Sequence, residues 1–316
     1  MERFCLAHIS DLHVLELAGT SPLRFLNKRL TGLANLLGPR RAAHPTWLAE
    51  ALVERLHDPA IDHVAFTGDL TNLALPSEFV AGVALLARIG DGARLSAVPG
   101  NHDVYTRGAA AASRAEAALL PWTAGAASRA SWPYVKAPRP WLRIYGLHSA
   151  IPTAPLLAQG EVGAAQLLRL QRLVAAEPEG VRVRIALLHH NLHRRGLPSR
   201  HTSQLRDAKA VLSALCELGF TAALHGHTHV PHRGVYRPGD TAAGQAGGAS
   251  LLVLGCGSST WHRPKHGHFA HLSRLTLRPD AGVVGIATEI WDEASRRFVM
   301  EHDDALPAAL RAAVSP

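Results

Sequence analysis

An α/β protein in which two β-sheets pack together beneath outer helices is the fold class this sequence predicts, on three observations. Through the first two thirds, apolar runs of strand length alternate with stretches of helical periodicity, as crossovers between parallel strands require. The last third changes to short strand patterns near 232–236, 250–254, 268–278 and 283–290. Several of the apolar runs stop at a turn that delivers Asp, Asn or His, and the carboxyl edge of a sheet is where open α/β folds hold ligands. No repeat of fixed period is visible. A single domain over residues 1–291 is therefore expected, with 292–316 as a C-terminal tail dispensable to the core.

Taken in order, FCLAHIS near residues 3–9 reads as the first strand and is followed by Asp11-Leu12-His13. From Ser21 to Arg41, leucines at 23, 26, 30, 33 and 37 recur at helical spacing among Arg24, Lys28, Arg29, Arg40 and Arg41, which predicts an inserted basic amphipathic helix. It could serve as a lid, as a membrane-surface contact or as a packed helix with a solvated face. Pro45 opens a further helix that Asp58-Pro59 closes. The run IDHVAFTGDL from Ile61 then stops at Gly68 and presents Asp69, the residue the other candidates are arranged around. A helix from Pro76 to about Arg88 and a strand ending at Pro99 follow, and the gap from Asp69 to Asn101 fits one strand–helix–strand crossover. Asp69 and Asn101 should be spatial neighbours. Residues 108–133 read as an irregular or helical cap, WLRIYGLHSA as a strand reaching His148 and Ser149, and VRVRIALL as a strand reaching His189 and His190. Helices are expected near 160–176 and 203–218, and a strand over 220–224 precedes Gly226-His227-Thr228-His229.

Composition narrows the class. No apolar stretch approaches the roughly 20 residues of a bilayer span, and the first residues lack a basic-then-apolar leader. The three cysteines are an odd number without close spacing, which argues against a disulfide framework or a thiolate zinc site. A cytoplasmic protein is the expectation, peripheral to the inner membrane face if residues 21–41 touch lipid. The net charge of +8 favours anionic partners. Aromatic residues interleaved with basic ones are missing, so no specific nucleic-acid module is expected, and nothing specifies an oligomeric state.

The strand-end residues form a recognisable donor set. Carboxylates neutralise hard cations, whereas borderline first-row ions also accept imidazole, so a site mixing Asp, Asn and His suits manganese, iron, zinc or cobalt. Alternate residues of an extended segment point the same way, which lets Asp11 and His13 reach one ion. Asn72 could touch substrate or cap the following helix, and His190 and His148 could line the site or serve structure. The histidines at 262, 266, 268 and 271 have no carboxylates close in sequence and read as surface.

The ordered blocks Asp11-Leu12-His13, Gly68-Asp69-Leu70-Thr71-Asn72, Gly100-Asn101-His102-Asp103, His189-His190 and Gly226-His227-Thr228-His229 resemble the calcineurin-like metallophosphoesterase superfamily, over residues 8–229. That resemblance implies a four-layer α/β/β/α sandwich holding two divalent ions, Mn2+, Fe2+/Fe3+ or Zn2+. One ion would be held by Asp11, His13, Asp69 and His229, the other by Asp69, Asn101, His189 and His227, with Asp69 bridging. It further implies a metal-bridging hydroxide as nucleophile on an anionic phosphoester, His102 as the group that stabilises or protonates the leaving oxygen, and Asp103 orienting His102. The Asn72 and His102 blocks are similar to the bacterial cyclic nucleotide phosphodiesterase branch. A phosphodiesterase is thus expected; the alternatives are a pyrophosphohydrolase of a nucleotide-linked lipid precursor of the UDP-diacylglucosamine type, a nuclease, or a scaffold that has kept the fold without the reaction.

Overall fold

The computed structural model describes residues 2–25, 29–30, 43–193, 202–237, 250–262 and 269–305. Its first sheet joins β1 (Phe4–Ile9), β2 (His63–Phe66), β3 (Leu95–Ala97), β10 (His271–Arg278), β11 (Gly282–Asp292) and β12 (Arg297–Ala305) in the order β12-β11-β10-β1-β2-β3. The second joins β4 (Tyr134–Arg139), β5 (Leu142–Gly146), β6 (Val183–Leu187), β7 (Ala222–His225), β8 (His232–Tyr236) and β9 (Leu251–Gly255) in the order β4-β5-β6-β7-β9-β8. β1, β2 and β3 are parallel to one another, as are β5, β6, β7 and β9. The parallel strands of each sheet therefore end on one edge.

Side-chain alternation makes the layers. On β1, Phe4 and Leu6 face the second sheet and join Ile144, Ile185, Leu224 and Leu252 in the inter-sheet core. Ala7 and Ile9, one step out of phase, face the other way. They meet Leu48, Leu52 and Leu56 of α1 (Thr46–Leu56) and Leu85, Leu86 and Ile89 of α2 (Pro76–Ile89). Across the second sheet, Ala186, Leu188 and Ala223 pack on Leu170 of α5 (Ala164–Ala175) and on Leu212 and Leu215 of α6 (Ala208–Glu217). The result is the expected α/β/β/α sandwich. Two short helices, α3 (Arg107–Ala111) and α4 (Arg114–Leu119), lie in the segment read as a cap.

Two edge strands were not foreseen. β4 contains Pro138 and, among the described residues, pairs only with β5, and proline is tolerated at such an edge. β12 corrects the expectation of a tail from residue 292: its main chain pairs with β11, and Phe298 is buried against Trp291, with ring centroids 5.7 Å apart. Phe298→Ala is expected to cost about 3 kcal/mol, read as a lowered melting temperature. An unchanged melting temperature would return these residues to the tail. Of the inserted helix expected over 21–41, only residues 21–25 and 29–30 are described, and Pro22–Phe25 form a single 3-10 turn. Arg29 points inward rather than to solvent, donating to the carbonyls of Leu73 (2.7 Å) and Ala74 (2.9 Å).

Glu78, in the first turn of α2, is buried and accepts the N–H groups of Leu73 (2.8 Å) and Leu75 (3.0 Å). Burial, with a smaller contribution from Asp103, pushes its carboxyl up to about 7. The folded state therefore holds a proton that the unfolded chain has lost between pH 4.5 and 7, so stability falls as pH rises through that window. Glu78→Gln, which keeps an acceptor oxygen without charge, is expected to stabilise the protein above pH 7 by roughly 1–3 kcal/mol. Urea midpoints measured across pH should show that gain fading as pH falls towards 4.5.

Candidate metal centre

The turns at the carboxyl ends of the parallel strands meet across the two sheets. Within the first sheet, the Asp11 N–H donates to the Gly68 carbonyl (2.9 Å) and the His13 N–H to the Asp69 carbonyl (3.0 Å). Between sheets, the His227 N–H donates to Asp11 Oδ2 at 3.1 Å. Glycine permits this approach: a Cβ on Gly100 would overlap the Asp69 carboxylate, and one on Gly226 would overlap Ser10 and Asp11. The chain also holds Asp11, His13, Asp69, His227 and His229 at φ between 47° and 71°, a left-handed conformation costly for residues with a Cβ. Such strain survives where packing fixes it and commonly marks a functional site.

Two donor sets result. Asp11, His13, Asp69 and His229 bring one ligand atom each within 4.8 Å of one another. His13 Nε2 and His229 Nε2 are 3.1 Å apart, and His229 Nε2 lies 3.3 Å from Asp11 Oδ1, a buried oxygen with no hydrogen-bond partner. Two imidazole nitrogens and an orphaned carboxylate oxygen aimed at one point fit a cation. In the second set, Asn101 Oδ1 lies 3.0 Å from His189 Nε2 and 2.8 Å from His227 Nδ1, and His189 Nε2 is 3.4 Å from Asp69 Oδ2. Asp69 belongs to both sets. All seven residues expected as ligands are thus brought together.

Electrostatics agree with ligation. Burial, reinforced by neighbouring imidazoles, holds His13 well below its ordinary range and His227 down at about 3, leaving the neutral rings that metal binding requires. Burial alone would raise Asp69, but His189 and His102 outweigh it and keep the carboxylate charged. Burial likewise opposes protonation of His189, yet Asp69 lifts it to about 9, so a cation entering the second set would have to displace that proton and take its place beside Asp69.

The surrounding residues divide. The His102 N–H donates to Asp69 Oδ1 at 2.8 Å, and its ring stands edge-on to His13 with centroids 4.8 Å apart. Its Nδ1 is 2.6 Å from the Asn72 carbonyl. A carbonyl only accepts, so Nδ1 carries a proton and Nε2 is the nitrogen left free of that contact. Asp103 does not orient this ring. Its buried carboxylate turns back to accept the N–H groups of Thr71 (2.8 Å), Gly100 (2.9 Å) and Leu70 (3.2 Å), tying the Asp69 loop to the Asn101 loop. Asn72 is half-buried, with its side-chain nitrogen 3.5 Å from the His13 carbonyl; the cap of α2 is Leu75, so the capping role is excluded.

Two residues expected as substrate contacts are walled in. His190 is fully buried, with Nδ1 2.9 Å from Ser149 Oγ and its ring 4.6 Å from that of His227, so it braces the His227 ring. His148 is buried between Arg129 and Glu116, with Nδ1 2.8 Å from the guanidinium and Nε2 3.3 Å from the carboxylate. Among the histidines read as surface, His271 is buried and accepts the Gly257 N–H at 2.7 Å, His262 is partly exposed against Trp47, and His266 and His268 lie outside the described residues.

The structure adds side chains that the strand-end pattern did not mark. His44, just before α1, stands 4.8 Å from His13 and 5.1 Å from Trp261, ring to ring, and Trp261 is 5.6 Å from His229. Ser258 Oγ donates to the Asp11 carbonyl (2.7 Å) and Thr260 Oγ1 to the Leu12 carbonyl (2.9 Å), supporting the first ligand turn from β9's end. Tyr105 lies parallel to His102 at 5.3 Å.

Comparison with known proteins agrees with this architecture. Residues 6–231 match the family model for calcineurin-like phosphoesterase. No curated protein sequence matches the chain. Among solved structures, a dimetal phosphatase from Danio rerio is similar at 15% identity and TM-score 0.51, with 96% of each chain covered. Purple acid phosphatase PPD1 from yellow lupin is similar at 14% identity and TM-score 0.60, covering 99% of this chain and 56% of that one. At these identities the likeness is one of fold. Because the family model spans more than half of the sequence, the chain belongs to the calcineurin-like phosphoesterase family of metal-dependent phosphoester hydrolases.

Proposed function

We propose that this enzyme hydrolyses a phosphate bearing two substituents, a phosphodiester in the first instance, with Asp11, His13, Asp69 and His229 holding one divalent ion and Asp69, Asn101, His189 and His227 the other. The observation that carries the reading is that Asp69 belongs to the cluster of Asp11, His13 and His229 and also lies 3.4 Å from His189, which meets Asn101 and His227. A bound pair of divalent ions supplies Lewis acidity towards the phosphoryl oxygens and lowers the pKa of water. The chain's own residues do the rest. Asp69 fixes the spacing of the two sets, and its contact with the His102 N–H keeps the Gly100–Asp103 turn against them. His102, with Nδ1 committed to Asn72, presents Nε2 as the proton donor to the departing oxygen. His44, His102 and Trp261, seated around the first set, are rings rather than permanent cations. They suit a singly charged diester with a flanking substituent better than a doubly charged monoester.

A second reading, hydrolysis of the pyrophosphate of a nucleotide-linked lipid precursor at the inner membrane face, is favoured by an arginine-lined cavity beside Tyr105. The membrane contact proposed for residues 21–41 would belong with it. Either reading is tested on protein stripped with chelator and resupplied with manganese, by comparing bis(p-nitrophenyl) phosphate with p-nitrophenyl phosphate. Metal-restored turnover favouring the diester is the expected result. Turnover favouring the monoester would remove the diesterase assignment.

A further inference from the structure

We infer that the cavity beside Tyr105 binds a second phosphate group of the substrate, one that is not itself hydrolysed; this rests on the phosphoesterase reading above. The cavity has a volume of about 530 Å³ and is lined by Arg24, Arg29, Arg107, Arg114, Tyr105 and Pro155, among others. It begins one ring beyond the metal centre: Tyr105 stacks on His102, which stands edge-on to His13. A substrate reacting at the donor sets can thus reach it with a neighbouring group.

Among the described residues, no aspartate or glutamate lines this cavity. Arg29 is 4% exposed and anchored by two carbonyl oxygens, which orient a guanidinium without cancelling its charge. Burial and repulsion from Arg114 and Arg24 weaken its hold on its proton. Glu78, the acidic neighbour, already spends its carboxylate on two backbone N–H groups and is pushed up to about 7. None of the ion pairs among the described residues involves Arg107 or Arg114. Clustered guanidiniums around a concave space, short of carboxylates, match the forked geometry and charge of a phosphate. A simple monoester or diester leaves this cavity unused; a bisphosphorylated substrate fills both places.

The test compares substrates that differ only by that phosphate. The nucleotide pair is thymidine 5′-(p-nitrophenyl phosphate) with and without a 3′-phosphate; the lipid pair is phosphatidylinositol 4-phosphate and phosphatidylinositol in detergent micelles. In the manganese-loaded enzyme, kcat/KM is expected to favour the bisphosphorylated member of one pair at least tenfold, chiefly through KM. That preference should fall close to one in Arg107→Ser/Arg114→Ser and return in part in Arg114→Lys. The pair that shows it identifies a nucleotide or a lipid as the source of the phosphate. A preference near one for both pairs, or one that survives the double substitution, overturns the inference. If no ester at all is turned over, the phosphoesterase reading fails, and calorimetry with inorganic pyrophosphate on the chelated full chain decides the cavity separately. Binding to the wild type that is lost in the double variant sustains it, and equal or absent binding rejects it.

Discussion

Asp69→Asn is expected to abolish turnover of bis(p-nitrophenyl) phosphate, by about 10⁴-fold or more, or on the order of 5 kcal/mol of transition-state stabilisation. Asparagine preserves the shape of the side chain and one acceptor oxygen, so the contact with the His102 N–H can persist and the fold has no large cavity to collapse into. What disappears is the only group common to both donor sets. Its place near His13 Nε2 at 3.8 Å and His189 Nε2 at 3.4 Å would be taken by an amide with half the acceptor capacity and no charge. His189 should change as well, because Asp69 is what lifts it to about 9 against burial. Metal analysis by plasma mass spectrometry should show fewer than two ions per chain, while far-ultraviolet circular dichroism stays as in the wild type. Full metal content with full activity would remove Asp69 from its bridging place and, with it, the two-ion reading. The orphaned oxygen of Asp11 gives a second check, since Asp11→Asn should affect the first set alone.

How much of this centre could be read without coordinates depended on whether a residue's position follows from its own strand. Asp11, Asp69, Asn101, His189 and His227 each follow an apolar run, and parallel pairing then forces those ends onto one edge. The side-chain direction of the next residue is set by the turn, not the strand. That is why Asp103, beside His102, turned out to bind the backbone of residues 70, 71 and 100 instead of the imidazole. The Asn72 carbonyl took the expected part of Asp103, and a backbone acceptor leaves no trace in residue identity. His44 and Trp261 reach the site from segments with no strand-end signature, brought there by the packing of α1 and the loop after β9. The same limit explains β12: Arg297–Ala305 mixes one buried aromatic with charged residues, as a strand paired on a single side can, and composition alone resembles a tail. His148 and His190 failed in the opposite direction. Their strands deliver them to the correct edge, but they are buried there against Ser149, Glu116 and Arg129 rather than open to substrate.

His102→Gln separates proton donation from mere occupancy. Glutamine can still donate to the Asn72 carbonyl, and the backbone N–H that holds Asp69 is untouched, so both donor sets should keep their geometry. The ring Nε2 is what is lost. If that nitrogen protonates the departing oxygen, the loss must depend on how badly that oxygen needs a proton. General acid catalysis contributes about 10²–10⁴-fold, and least where the leaving group is already a stable anion. For p-nitrophenolate esters a fall in kcat of only about tenfold is therefore expected, against about 10³-fold for an alkyl diester such as a nucleoside 3′,5′-cyclic phosphate, with bound metal unchanged in both assays. Plotted against leaving-group pKa, log kcat should fall more steeply in the variant than in the wild type. Parallel lines with a uniform deficit would mean that His102 stabilises charge on the phosphoryl oxygens, and proton delivery would then pass to another group on the same rim. His44 is placed for it: Nδ1 is committed to Thr260 Oγ1 at 2.8 Å, and the ring sits 4.8 Å from His13. His44→Gln should in that case reproduce the steeper slope that His102→Gln failed to give, which makes the pair of variants decisive where either alone would not be.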